Sequence, residues 1–188
     1  MNVAIPPSQV LSLFSGIAGL DQSVRLVFPE SRTVCFVERE AYAASVLVAR
    51  MEDKTLDEAP IWSDITTFNG KPWRGAVDTV IGGFPCQDLS VAGLKKGIKV
   101  GTRSGLFFEF ARCVREIQPR FVFVENVRGL LRKGPMEAVL NEFSKMGYDA
   151  EWGMFSAEGV GATHKRERVF LMAYPRRNAE RTSHGQEA

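Results

Sequence analysis

Near-continuous apolar runs of strand length, at residues 10–14, 33–37, 77–81 and 121–124, alternate with longer segments whose apolar residues follow helical spacing, at 20–27, 41–51, 106–117 and 135–146. A strand that is apolar at consecutive positions has both faces covered, and strands of that kind alternating with helices make a parallel sheet wound on both sides. Gly147 stands where a glycine commonly closes a helix. Two later runs, 148–155 and 168–173, read as strands pairing at one sheet edge. The expected fold class is α/β, with a mostly parallel, doubly wound sheet and an antiparallel edge hairpin. A chain of 188 residues, 45% hydrophobic and 24% charged, has the size and composition of one soluble domain. That domain is expected over residues 1–174, followed by a basic tail over 175–188 that carries Arg176, Arg177 and Arg181, lacks an apolar pattern and reads as disordered.

Several classes drop out on composition. A net charge of +2 is not that of a polybasic tail protein. Cys35, Cys86 and Cys113 are too few and too scattered for a disulfide framework, and no C-x-x-C pair exists for a zinc ribbon. With His164 and His184 as the only histidines, no metal site is expected. No apolar run approaches the ~20 residues of a membrane helix. Residues 1–7 lack the basic start of a signal peptide. The expected address is a reducing cytoplasm, with no membrane partner.

In a parallel sheet the carboxyl ends of the strands share one rim, where ligands bind. The first run leads into Ser15-Gly16-Ile17-Ala18-Gly19, the second ends at Glu38, the third passes through Gly82-Gly83-Phe84-Pro85 to Cys86, and the fourth ends at Glu125-Asn126. A glycine turn with an acid at the end of the next strand can hold a ribose-bearing cofactor; it can equally be a tight turn beside a solvated glutamate. The turn lacks G-x-G-x-x-G, which favours a nucleoside cofactor over a pyrophosphate. Cys35 and Cys113 read as small buried hydrophobes. Cys86 reads either so or as a nucleophile, since proline fixes the backbone before it. It also opens a long polar stretch bearing Lys95, Lys96, Lys99 and Arg103. Glu125, directly after Phe121-Val122-Phe123-Val124, is expected to be buried, which favours its protonated form. It can deliver a proton to a substrate, cap the next helix or pair with Arg128. In Thr163-His164-Lys165-Arg166-Glu167-Arg168, at least one arginine is expected to point into the rim, and His164 reads as a spacer.

Together these residues resemble the DNA cytosine-5 methyltransferases, in the family's order, from residue 10 to about 173. Phe14-Ser15-Gly16-Ile17-Ala18-Gly19-Leu20 is similar to the family's first, cofactor-binding motif, Glu38 to its ribose-binding acid, and Asp64-Ile65 to the pair that contacts adenine. Gly82-Gly83-Phe84-Pro85-Cys86-Gln87 resembles the catalytic Pro-Cys motif. Gly101-Thr102-Arg103-Ser104-Gly105-Leu106-Phe107 resembles the motif whose leucine touches the cofactor. Glu125-Asn126-Val127 and Arg166-Glu167-Arg168 match the family's Glu-Asn-Val and Arg-x-Arg.

The resemblance implies a Rossmann-like, S-adenosyl-L-methionine-dependent methyltransferase fold and methylation of carbon 5 of cytosine in double-stranded DNA. The implied catalytic residues are Cys86, Glu125, Arg168 and Arg166. The implied cofactor residues are Phe14, Ser15, Gly16, Gly19, Leu20, Glu38, Asp64, Ile65, Pro85 and Leu106. Cys86 would add to carbon 6 of a base flipped out of the duplex. Glu125 would hold the ring N3 and amine, Arg168 would hold the base carbonyl with Arg166 nearby, and the lysine-rich stretch would meet phosphates. His164 stands where the family has glutamine, and Arg39 where an apolar residue often covers the adenine. The family continues into a target-recognition region and a helix returning to the cofactor pocket, for which the 15 residues from Tyr174 to Ala188 leave no room. The expectation is a catalytic half in a bacterial or phage-infected cell, active alone or completed by a second polypeptide. The rival readings are a non-catalytic remnant and an unrelated Rossmann-like thiol oxidoreductase.

Overall fold

A computed structural model describes residues 8–85, 104–132 and 134–176. In chain order the elements are β1 (Gln9–Leu13), α1 (Gly19–Val27), β2 (Arg32–Val37), α2 (Ala41–Glu52), β3 (Ile61–Trp62), β4 (Thr79–Gly82), α3 (Phe107–Ile117), β5 (Phe121–Val127), α4 (Pro135–Lys145), β6 (Tyr148–Ser156) and β7 (Glu167–Pro175). They build one sheet in the order β3-β2-β1-β4-β5-β7-β6. The strands from β3 to β5 are parallel, and β7 runs antiparallel between β5 and β6. This is the expected mixed architecture, with β7 inserted so that β6 forms the edge.

Burial on both faces follows from the pleat. Val80, Val122 and Val124 enter one core with Phe107, Phe110 and Val114 of α3 and Val139 and Phe143 of α4. Ile81, one residue along β4, joins Val10 and Val24 of α1 on the other face, against Leu20 and Phe123. Phe36 packs with Leu47 of α2 and with Ala18. Consecutive apolar positions thus serve opposite layers, which is why these strands lack polar alternation. Burying each such side chain stabilises the fold by about 1.5–3 kcal/mol. Pro135 opens α4, and Gly147, at φ +81, closes it as expected, its N–H donating to the Ser144 carbonyl at 3.0 Å.

Two departures from the sequence reading matter for the site. Between α2 and β4 lie the two-residue β3 and 3₁₀ turns at Ile65–Thr67 and Lys71–Trp73, each too short to show as an apolar run. And β5 does not stop before Glu125. It outruns β4, whose pairing ends at Gly82↔Val124, and continues on β7 alone through Glu125↔Phe170, Asn126↔Val169 and Val127↔Arg168.

Candidate active site

The sheet order reverses between β1 and β4, and a crevice opens at such a switch point. On one side is the turn after β1. Phe14 (φ +53), Gly16 (φ +54) and Ala18 (φ +63) all take left-handed backbone, a conformation that costs a non-glycine residue roughly 1–3 kcal/mol and concentrates at ligand-binding turns. The turn is fixed from beneath: Ser15 N–H donates to the Val37 carbonyl at 3.2 Å, and Ser15 Oγ to the Ser12 carbonyl at 3.0 Å. Glu38 ends β2 beside it, 8% exposed, its Oε2 accepting from Gly16 N–H at 2.7 Å and its Oε1 from Glu40 N–H at 2.7 Å. The carboxylate is therefore aimed by two backbone donors, with lone pairs left on both oxygens for a ligand's hydroxyls.

The crevice has a volume of about 720 Å³. That lies within the roughly 300–1,000 Å³ typical of small-molecule sites. Of the sequence-chosen cofactor residues, Phe14, Glu38, Asp64, Ile65, Pro85 and Leu106 line it, joined by Val37, Arg39, Glu40 and Gly83. Ser15 and Gly16 support it from the turn. Gly19 is the exposed first residue of α1, and Leu20 packs toward Val10, Val24 and Ile81. Asp64 accepts from Thr66 N–H at 2.9 Å and Thr66 Oγ1 at 2.8 Å. Those hydrogen bonds, assisted by the Arg39 charge, hold its carboxyl below the usual range. Among the described lining residues, three carboxylates, Glu38, Glu40 and Asp64, face the one cation Arg39, walls suited to a ligand that carries positive charge.

At the crevice's other end, the exit of β4 is packed against β5. A Cβ on Gly82 would lie 2.3 Å from the Leu13 carbonyl oxygen, and one on Gly83 3.2 Å from Glu125 Oε2. Phe84 is buried against Phe107 and Phe110, with ring centroids 5.0 and 6.4 Å away. Asn126, 3% exposed, donates from Nδ2 to the Phe84 carbonyl at 3.2 Å and accepts from Val127 N–H at 2.8 Å. Sequence reading gave Asn126 no role; its long-range partner is visible only in the fold.

Glu125 corrects its expectation. It is not sequestered: its side chain keeps 32% exposure, and Oε1 meets Arg168 Nε at 2.7 Å. The cause is the overrun of β5, which makes Arg168 the diagonal neighbour of Glu125 across the β5–β7 ladder, on the same face. Arg128 pairs with Glu167 instead, at 2.9 Å, and Arg168 Nη1 donates to the Glu167 carbonyl at 2.9 Å. Arg168 is the arginine that turns inward; Arg166 is exposed, with φ +29. Cys86, with Lys95, Lys96, Lys99 and Arg103, lies outside the described residues, Pro85 being the last described residue before it. Cys35 and Cys113 are buried as expected, and burial pushes their thiols up to about 11 and about 12.

A family model described as C-5 cytosine-specific DNA methylase matches residues 8–187. The Type II methyltransferase M.CviJI of Paramecium bursaria Chlorella virus IL3A is 32% identical over 165 residues, 88% of this chain and 42% of that protein. The Type II methyltransferase M.Eco47II of Escherichia coli is 34% identical over 168 residues, 87% of this chain and 39% of that protein. This chain thus spans less than half the length of these curated relatives. Among solved structures, a putative DNA modification methyltransferase encoded within an E. coli prophage superposes with a TM-score of 0.69 at 26% identity, covering 89% of this chain and 47% of that one. The S. pombe Dnmt2 methyltransferase superposes with a TM-score of 0.72 at 20% identity, covering 92% of this chain and 52% of that one, a likeness of fold.

Proposed function

The chain belongs to the C-5 cytosine-specific DNA methylase family, and on that premise we propose that it catalyses methyl transfer from S-adenosylmethionine to carbon 5 of cytosine in double-stranded DNA. The observation that carries the reading is the Glu125–Arg168 pair, set at one end of a ligand-sized, acid-walled crevice and packed against the strand exit that leads to Cys86.

The crevice fits the cofactor. Glu38 would take the ribose hydroxyls, Asp64 and Ile65 the adenine, and Phe14, Pro85 and Leu106 the apolar walls, while the acidic lining suits a sulfonium cation. When bound, the cofactor supplies an electrophilic methyl group on sulfur. Carbon 5 of cytosine is a weak nucleophile, and the protein's own residues supply the remedy. The Cys86 thiolate adds to carbon 6 of the flipped-out base. Glu125 holds N3 and delivers a proton to it as the bond to carbon 6 forms, so that the ring becomes a neutral enamine, nucleophilic at carbon 5. Arg168 bonds the base carbonyl, using donors beyond the Nε that holds Glu125. After methylation, loss of the carbon 5 proton to water, expulsion of the Cys86 thiolate and return of the N3 proton to Glu125 restore the aromatic ring. Gly83 leaves the Glu125 carboxylate room at this point, and Asn126 holds the Phe84 carbonyl two residues before the nucleophile.

Relatives come from bacteria, phages and a virus of algae, and no helix among the described residues is long and apolar enough to cross a membrane. We place the activity in the cytoplasm of a bacterial or phage-infected cell, with DNA as partner; the comparisons do not support a second polypeptide. The test is incubation with S-adenosylmethionine and duplex DNA containing 5-fluorocytosine, whose fluorine cannot leave as a proton does. A covalent protein–DNA adduct is expected by mass, lost in Cys86→Ser and kept in Cys113→Ser. An adduct surviving Cys86→Ser overturns the nucleophile. Absence of both adduct and cofactor binding overturns the stand-alone enzyme.

A further inference from the structure

We propose that Arg112, on α3 and outside the crevice, is a positioning residue that sets the adenine side of the cofactor site; this rests on the cofactor reading of that crevice. Asp64 and Ile65 stand on a loop at the sheet edge, beyond the two-residue β3, with no ladder to hold their backbone. One guanidinium spans the turn they open. Arg112 Nη2 donates to the Ile65 carbonyl at 2.7 Å, and Nη1 donates to the Phe68 carbonyl at 2.9 Å.

The guanidinium is itself held from both sides. Its Nε meets Glu109 Oε2 at 2.7 Å one turn before it, and its Nη1 meets Glu116 Oε2 at 3.0 Å one turn after. Glu116 Oε2 also accepts from Gly70 N–H at 2.8 Å, where a Cβ would lie only 3.0 Å from that oxygen. The three side chains are 27%, 32% and 19% exposed, so this network is partly withdrawn from solvent and its charge-assisted bonds exceed those of a surface pair. The same helix follows directly on Leu106, which lines the crevice along with Ile65. Through Arg112, α3 therefore fixes the separation of two walls, Leu106 on its own amino end and Ile65 on the loop. A lysine cannot reproduce this, because one ammonium on a flexible stem lacks the planar fork that reaches two carbonyls at once.

The experiment compares the whole chain with Arg112→Met and Arg112→Lys, measuring binding of S-adenosylhomocysteine and of S-inosylhomocysteine by calorimetry, and amide exchange over residues 64–70. Both variants should bind the adenosyl compound about tenfold more weakly and the inosyl compound less than about threefold more weakly, so that discrimination between the two bases shrinks. Exchange at Thr67, Phe68 and Gly70 should rise while that of β1 and β4 stays low. A purely structural role would lower both affinities together and leave their ratio unchanged, and that result overturns the proposal. So does unchanged exchange in the loop. If the unsubstituted chain binds neither compound, the cofactor reading falls and takes this assignment with it. If it binds the adenosyl compound as tightly as the variants do, only the role of Arg112 falls.

Discussion

Asn126 illustrates how a residue can matter without touching a reactant. It is buried, and its amide joins the Phe84 carbonyl to β5, so the polypeptide that continues into Pro85 and Cys86 leaves the sheet in one direction. Asn126→Ala removes the donor to a buried carbonyl and the acceptor of Val127 N–H, a loss of about 1–3 kcal/mol for an unsatisfied buried group. Asn126→Asp keeps the shape but faces a carbonyl with a carboxylate oxygen. Both variants should slow adduct formation with 5-fluorocytosine DNA by at least about tenfold, while leaving S-adenosylhomocysteine binding within about twofold. Rapid-quench sampling of the adduct, paired with calorimetry, checks this. Adduct formation at the unsubstituted rate would show that the tether does not govern the nucleophile. At this scale the sequence spoke through residue type and neighbours. Cys35 was readable as inert because it stands between Val34 and Phe36, and Cys113 because it falls on an amphipathic helix. The ion pair of Glu125 was not readable from its own neighbours, because Arg168 comes from another strand, and neither was the reach of Arg112 to carbonyls on a distant loop.

Among the elements, the apolar runs located β1, β2, β4 and β5 to within a few residues, since a strand covered on both faces has no other way to be written. The runs could not show where β5 ends. Its last three residues begin with the polar Glu125 and Asn126, and they remain strand because β7 supplies the ladder. Nor could β3 be seen, a pair of residues held by backbone bonds from Phe36 N–H to the Pro60 carbonyl and Glu38 N–H to the Trp62 carbonyl. The β1–β4 junction is tighter than pairing alone requires, for a Cβ on Gly82 would sit 2.3 Å from the Leu13 carbonyl oxygen, with Phe110 at 3.1 Å. Backbone cannot swing aside as a side chain does. Gly82→Ala should therefore spread the two strands that flank the crevice and destabilise the fold by about 2–3 kcal/mol or more, read as a lowered urea midpoint. Gly16→Ala is the contrast. Its Cβ would meet nothing within 4 Å, and the cost arises from its φ of +54 alone, about 1 kcal/mol. Equal losses at the two sites would refute the close-approach account of Gly82.

Below neutrality, the acid–base linkage of the described carboxyls divides into two pH windows of opposite sign. Asp21 of α1 is 5% exposed and joins two strands, accepting from Ser12 Oγ of β1 at 2.9 Å and from Thr33 Oγ1 of β2 at 2.9 Å. Burial raises its carboxyl from 3.8 to about 6, against the pull of those hydroxyls. The folded state therefore binds the proton more tightly than the unfolded state does. The associated stability is fully present below about pH 4 and is lost as pH rises through 6, a difference of about 3 kcal/mol. Asp53, Asp64 and Asp78 run the other way. Hydrogen bonds from Thr55 and from Thr66 lower the first two; Asp78 is lowered because bonds from Ser8, Thr79 and Gln9 outweigh its burial. Their stability is present above about pH 4 and is lost as pH falls through their lowered values. Among the described residues, these groups place a maximum near pH 4, with a decline toward pH 6 that the raised carboxyl of Asp21 produces. Asp21→Asn keeps a partner for each hydroxyl, since an amide can accept from one and donate to the other. It should abolish the decline between pH 4 and 6, leave the acid limb intact, and be no less stable than the unsubstituted chain at pH 7.5. Urea unfolding at half-unit intervals from pH 3 to 8 measures both limbs, and a decline between pH 4 and 6 that persists in Asp21→Asn would assign it to some other group.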